Sequence, residues 1–167
     1  MALLEVVEGK RSSPEAVATA VQVGRRLGKT CVLVGDGPGF YTSRCFGVFV
    51  TTGLILAELG MPPHEVDRIA VDAGFPQGPL HVYGSVGGAV VYHASRFMTL
   101  ATPYLEVPQT LENLFDAGFT GAGKPCFYLD PKGREPNPAA LAHVARRPGP
   151  EPSPQEARDM LLLGMVN

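Results

Sequence analysis

The densest chemistry in the chain lies in Gly35-Asp36-Gly37-Pro38-Gly39-Phe40-Tyr41-Thr42-Ser43-Arg44. Three glycines and a proline inside five residues force a sharp turn. Pro38 suits a first helical turn, where its missing N–H would have had no partner. The helix that follows presents free N–H groups, with the hydroxyls of Thr42 and Ser43 one turn in, and so builds a polar spot where a strand meets a helix. The plainer reading of these residues is a tight turn capping a core helix. A second chemical group is Glu5, a carboxylate inside the apolar run Leu3-Leu4-Glu5-Val6-Val7. A period of two places Leu3, Glu5 and Val7 on one face. Taken alone, that describes a carboxylate on the solvent face of an edge strand.

Other candidates are thinner. Gly121-Ala122-Gly123-Lys124 is glycine-rich but lacks the G-x-G-x-x-G spacing after a strand, so it is no dinucleotide fingerprint. His64, His81, His93 and His143 are scattered, without paired metal-ligand spacing, and no metal site is expected. Cys31, Cys45 and Cys126 are odd in number and widely spaced, which fits a reducing compartment and excludes a C-x-x-C centre.

The totals bound the function classes. The 167 residues give room for one domain or slightly more. A hydrophobic share of 45% with 18% charged residues describes a globular chain. A net charge of −2 provides no field for a nucleic-acid backbone or an anionic membrane. The apolar run Phe46 to Leu59 is too short to cross a bilayer and carries Thr51, Thr52 and Glu58. No signal peptide is visible, and a soluble intracellular protein is the default expectation. Met1 abuts a strand-like run and the apolar stripe of residues 155–167 is still going at the last residue, so the chain reads as a piece of a longer protein.

The elements that must position these groups follow in order. Ala2 to Val7 reads as a strand. Ser12 or Ser13 caps a helix opened by Pro14 and stopped by Gly28. Thr30 to Val34 is a second strand, and strand–helix–strand with short connections predicts a βαβ unit with parallel pairing. One such unit cannot bury a sheet on both faces, so more of that sheet is expected upstream. From the turn onward the character is all-α. A long apolar helix runs from about Phe40 to Leu59, hydrophobic nearly all round. Pro62 and Pro63 open another, with Glu65, Asp67 and Arg68 outward and Val66, Ile69 and Ala70 inward. Leu80 to Met98 holds one or two helices broken near residues 84–88, Pro108 to Ala117 a further one, and Ala139 to Arg147 another. Cys126 to Leu129 reads as a short extended segment, and residues 147–154, with four prolines, as a linker.

The segments Asp36-Gly37-Pro38-Gly39-Phe40-Tyr41-Thr42-Ser43-Arg44 and Phe75-Pro76-Gln77-Gly78-Pro79-Leu80 resemble the 3-hydroxyacyl-CoA dehydrogenases. In that family a D-x-P-G-F-x-x-[NT]-R segment opens a helical C-terminal domain, and G-[FY]-P-x-G-P follows some thirty residues later. Met1-Ala2-Leu3-Leu4-Glu5 matches the family's M-x-L-[VL]-E strand. The resemblance is strong from Met1 to about Pro79, weak to Pro154, and recovers at Arg158 to Asn167. It implies an α/β remnant plus an all-α part. Residues 1–36 would be the last βαβ of a Rossmann-like NAD domain. Residues 37–146 would form a helical domain like the C-terminal part of 6-phosphogluconate dehydrogenase. Residues 147–154 would be the linker, and 155–167 the start of a second helical domain.

The resemblance also implies roles. Glu5 would be the carboxylate that orients the family's catalytic histidine, the base-plus-orienter logic of a dyad. That histidine belongs just before Met1, in a His-x-x-Asn-Pro segment, and no histidine of this chain takes its place. Ser43 stands where the family has Asn or Thr against the substrate oxygen. An ordinary first-turn serine is the rival reading. Arg44 is expected to pair with a carboxylate. Lys124 is a shifted substitute for a basic pair that Ala122 and Gly123 replace, set against the plainer reading of an ordinary loop. His81-Val82-Tyr83-Gly84-Ser85 replaces a Leu-x-Asp-x-Val-Gly pattern, and His81 is expected to be a surface or capping residue.

The implied activity is NAD-dependent oxidation of (3S)-3-hydroxyacyl-CoA to 3-ketoacyl-CoA in fatty-acid β-oxidation, as in the alpha subunit of the multifunctional oxidation complex. NAD would be held mainly by residues outside this chain, and the chain alone is expected to be inactive. Implied partners are the acyl-CoA substrate and, through the longer protein, a homodimer or a thiolase subunit. The implied compartment is the cytoplasm of a bacterium or the mitochondrial matrix of a eukaryote. One alternative stays open, a non-catalytic helical interaction module derived from the same domain; the Glu5 strand and the turn at residues 36–41 argue against a third reading, a dehydrogenase of small β-hydroxy acids.

Overall fold

Strand β1 (Leu3–Glu8) and strand β2 (Thr30–Gly35) pair in parallel, with Glu5 opposite Val32. Helix α1 (Pro14–Arg26) makes the crossover. The computed structural model describes residues 2–37, 39–99, 106–121, 125–130 and 132–165. They fall into two compact units, Met1–Arg44 and Cys45–Asn167.

In the first unit each boundary has a local cause. Ser13 caps α1 by accepting from the Ala16 N–H at 3.2 Å, and Pro14 takes the first turn. The chain leaves α1 through Gly28 at φ +69°. Gly24 lets α1 lie on the sheet, because a Cβ there would stand 2.4 Å from Cys31 Sγ and 2.7 Å from Leu4 Cδ2. The sheet has two strands, and only Val6 among its apolar residues is buried.

Helix α2 (Tyr41–Glu58) starts in the first unit and ends in the second. Its polarity changes along its length: Tyr41 and Phe46 are exposed, whereas Phe49, Val50, Leu54 and Leu56 are buried. Around that buried half pack α3 (Pro63–Asp72), α4 (Pro79–Val86), α5 (Gly88–Thr99), α6 (Gln109–Asp116), the single turn α7 (Pro138–Leu141) and α8 (Pro154–Leu163). The break expected in residues 84–88 falls at Gly87, at φ +98°.

The Gly74–Pro79 segment is a packing device. Phe75 stacks on Phe49 with ring centroids 4.5 Å apart. Pro79 opens α4 and presses on Gly53, where a Cβ would stand 2.5 Å from Pro79 Cγ. Gly78 has no room for a side chain either: a Cβ there would lie 2.3 Å from Asp67 Cα. Asp67 itself corrects the outward assignment. It is 9% exposed, and its carboxylate accepts from the Leu80 N–H at 2.8 Å, the His81 N–H at 3.0 Å and the Tyr128 hydroxyl at 2.6 Å. It caps α4 from a distance, which explains how a carboxylate can face inward.

The helix expected over 139–147 stops at Leu141. Beyond it, backbone groups find long-range partners. The His143 carbonyl accepts from Asn113 Nδ2, the Ala145 N–H donates to Thr110 Oγ1, and the Arg147 N–H donates to the Glu58 carbonyl at 2.9 Å. Arg147 also places its guanidinium on Glu58, at 3.0 Å, so the stretch expected as a linker is tied down at its first residue. Glu58 is 2% exposed, and its other oxygen accepts from the Thr110 N–H at 2.7 Å. The short extended segment at 126–129 makes one antiparallel bridge, Tyr128 to Pro136. Helix α8 is held by a capping box between Ser153 and Glu156 and buries Ala157 and Leu161 in the same core as α2, α3 and α4.

Candidate active-site carboxylate

Glu5 and the start of α2 meet inside the first unit. β1 carries Glu5 half-buried, opposite Val32. The turn through Gly39, at φ +65°, aims the first turn of α2 at it. The Thr42 N–H is among the helix-end donors that no helical carbonyl can satisfy. It donates to Glu5 Oε1 at 2.9 Å, and the Thr42 hydroxyl donates to Glu5 Oε2 at 2.6 Å. The carboxylate thus lies at the positive end of α2 and is fixed in rotation by two donors from one residue. The Thr42 hydroxyl, then its N–H, and lastly the Tyr41 N–H hold Glu5 below the usual carboxylate range, against a smaller opposing effect of burial. Each oxygen keeps capacity to accept a further hydrogen bond.

The residues expected at this site divide. Glu5 is engaged. Ser43 is exposed, and the hydroxyl brought to Glu5 is that of its neighbour Thr42. Thr42 was visible in the sequence only as one of two first-turn hydroxyls, and helical geometry, which sends adjacent side chains in different directions, chooses between them. Arg44 spans the turn, its Nε donating to the Gly39 carbonyl at 3.1 Å, and among the described residues it pairs with no carboxylate. Lys124, with Ala122, Gly123 and Pro38, lies outside the described residues.

In the connection from β1 to α1, the Gly9 N–H donates to Ser12 Oγ at 3.1 Å and the Ala16 N–H to Ser13 Oγ, so both donors are satisfied within the chain.

Among the described residues no group of three or more His, Cys, Asp or Glu could hold a metal ion. No described helix is long and apolar enough to cross a membrane. In the helical unit burial displaces the titration of several groups. Burial pushes the Cys126 thiol up to about 12, away from nucleophilic use. Burial also pushes the Asp67 carboxyl up, against the Tyr128, Leu80 and His81 donors.

Comparison with known proteins places both regions in one context. Residues 39–128 match the family model "3-hydroxyacyl-CoA dehydrogenase, C-terminal domain", and residues 1–37 match "3-hydroxyacyl-CoA dehydrogenase, NAD binding domain". The chain is 38% identical over 103 residues to the peroxisomal bifunctional enzyme of Danio rerio, covering 62% of this chain and 14% of that protein. It is 29% identical over its whole length to the fatty acid oxidation complex subunit alpha of Acinetobacter baylyi, covering 25% of that protein. Among solved structures, 3-hydroxybutyryl-CoA dehydrogenase from Escherichia coli superposes with a TM-score of 0.62 at 28% identity, covering 72% of this chain and 27% of the other. Mycobacterium tuberculosis FadB2 superposes at 0.65 with 26% identity, covering 72% and 44%. The chain thus spans between about a seventh and a quarter of the length of the two curated relatives.

Proposed function

Because the chain belongs to the 3-hydroxyacyl-CoA dehydrogenase family, we propose that it forms part of a longer NAD-dependent enzyme that oxidises (3S)-3-hydroxyacyl-CoA to 3-ketoacyl-CoA in fatty-acid degradation. The observation that carries this reading is the fixed carboxylate of Glu5, two hydrogen bonds from Thr42, on the strand that matches the family's glutamate strand. Held ionised and unable to rotate, Glu5 can accept from one imidazole nitrogen, set the tautomer of the other and stabilise the imidazolium formed when that nitrogen takes the hydroxyl proton. NAD supplies the hydride acceptor when bound. NAD would be held mainly by residues outside this chain, whose own residues contribute positioning. Ser43, exposed one residue beyond Thr42, is offered to the substrate oxygen.

In this reading residues 1–36 end the NAD domain and 37–146 form the helical domain, while α8, in the stretch 155–167 expected to begin the next one, packs into the same core. Partners beyond the acyl-CoA substrate are a second copy or a thiolase subunit, acting through the longer protein. The compartment is the cytoplasm in a bacterium. In a eukaryote the expectation of the mitochondrial matrix widens to peroxisome-type organelles, because two eukaryotic relatives are by name peroxisomal and glyoxysomal.

Two assays test the reading. The isolated chain, given acetoacetyl-CoA and NADH, shows no enzyme-level turnover. In the longer protein, Glu5→Gln lowers kcat by roughly 10²–10⁴, the usual worth of a positioned acid–base pair, with KM little changed. A Glu5→Gln enzyme with undiminished kcat would refute the assignment.

A further inference from the structure

We propose that the helical unit carries a binding site for a small ligand bearing two or more phosphate groups, in the hollow between α3 and the hairpin that follows Tyr128. The hollow measures about 510 Å³, within the range of small-molecule pockets. Arg68 and His64 line it from α3, His81 from α4, and Lys132 and Arg134 from the hairpin. Three of these are permanent cations, and they stand on two separate walls. Three permanent cations around a hollow of this size offer more donors than a single phosphate can use, and a diphosphate can engage the arginine forks and the lysine ammonium together.

The hairpin is built to hold its cations in place. The Asp130 carboxylate accepts from the backbone N–H groups of Lys132 at 2.8 Å, Arg134 at 2.8 Å and Glu135 at 2.6 Å. The Leu129 N–H closes the base on the Glu135 carbonyl at 2.9 Å. Gly133 turns the tip at φ +67° and lets it approach His81, where a Cβ would come 3.2 Å from Nδ1. Lys132 and Arg134 are exposed and make no ion pair within 4 Å among the described residues, although Arg134 lies in the field of the Asp130 carboxylate. Arg68 is shared by Glu65 at 3.4 Å and Asp72 at 2.9 Å, exposed pairs that are weak in water and exchangeable for a phosphate. The one lining carboxylate, Asp67, has both oxygens engaged by Leu80, His81 and Tyr128. Those three donors offset part of its charge toward an anion in the hollow. Binding at this hollow does not depend on the activity of the longer protein.

The test is a titration of the full chain, labelled with ¹⁵N, against pyrophosphate, inorganic phosphate, ADP and coenzyme A at fixed ionic strength. Pyrophosphate shifts the amides of residues 64–68 and 132–134 and binds more tightly than phosphate. Arg134→Glu and Lys132→Glu each weaken it about tenfold, with circular dichroism unchanged because both side chains are exposed. Gly133→Ala, which alters no charge, also weakens it by displacing the tip. Coenzyme A binding more tightly than ADP assigns the site to an acyl carrier, and equal binding assigns it to free nucleotides. Absence of shifts at millimolar pyrophosphate, equal affinity for phosphate, or binding that survives both charge reversals overturns the proposal.

Discussion

The two units of this chain solve the burial problem to different degrees. In the βαβ unit Val6 is buried, while Val23, Leu27 and Leu33 are 51%, 66% and 51% exposed. One helix covers one face of a two-stranded sheet, and the rest of its apolar surface lies open. In the helical unit Leu54, Leu80, Leu111, Leu114 and Leu161 are fully buried, and the buried acids Glu58 and Asp67 are both supplied with donors. The proposed active-site carboxylate and the tightest packing therefore sit in different units: Glu5 belongs to the under-packed one, and the fully buried leucines belong to the other.

That contrast can be broken most forcefully at Arg147. Arg147→Ala leaves the Glu58 carboxylate buried without its cation and is expected to cost about 3–5 kcal/mol, measured by urea denaturation. Next, Leu111→Ala removes a fully buried side chain and is expected to cost about 2–5 kcal/mol. Leu33→Ala, in the open sheet, should stay within about 0.5 kcal/mol. Equal losses for the two leucines would erase the difference between the units. Tyr128→Phe takes one of three donors from Asp67 and is expected to destabilise by about 1–3 kcal/mol.

The smallest effect concerns Glu5. Its folded carboxyl titrates below the ordinary glutamate value of 4.5, so the contribution of its contacts to stability is present above the unfolded value. That contribution is lost as pH falls through the lower, folded value. Carboxyl ¹³C shifts followed against pH should show this depression in the intact chain, and Thr42→Val should move the midpoint back upward. A midpoint unchanged by Thr42→Val would mean that the hydroxyl does not hold the carboxylate.

Local signals made much of the fold legible. Ser13, Pro14 and Gly28 bounded α1, and Gly60, Pro63 and Gly87 bounded the helices after it. Period two put Glu5 on its strand, and the motif around Pro38 and Gly39 led to the start of α2. What was not legible depended on partners distant in the chain. Asp67 turns inward because Leu80, His81 and Tyr128 supply donors 13, 14 and 61 residues away. The turn at Pro138 fails to extend because Thr110 and Glu58 take the backbone groups that a longer helix would have paired. At the site, Thr42 and Ser43 were equivalent as residue types, and only their azimuth on α2 separated them.

The tie between Glu58 and Arg147 has a practical corollary for anyone trimming this protein. A domain edge drawn where the family match ends, at residue 128, would strip Glu58 of its counter-charge and remove Ala157 and Leu161 from the middle of the fold. A piece that keeps its interior closed therefore runs through Met165, well past the limit that homology alone would recommend.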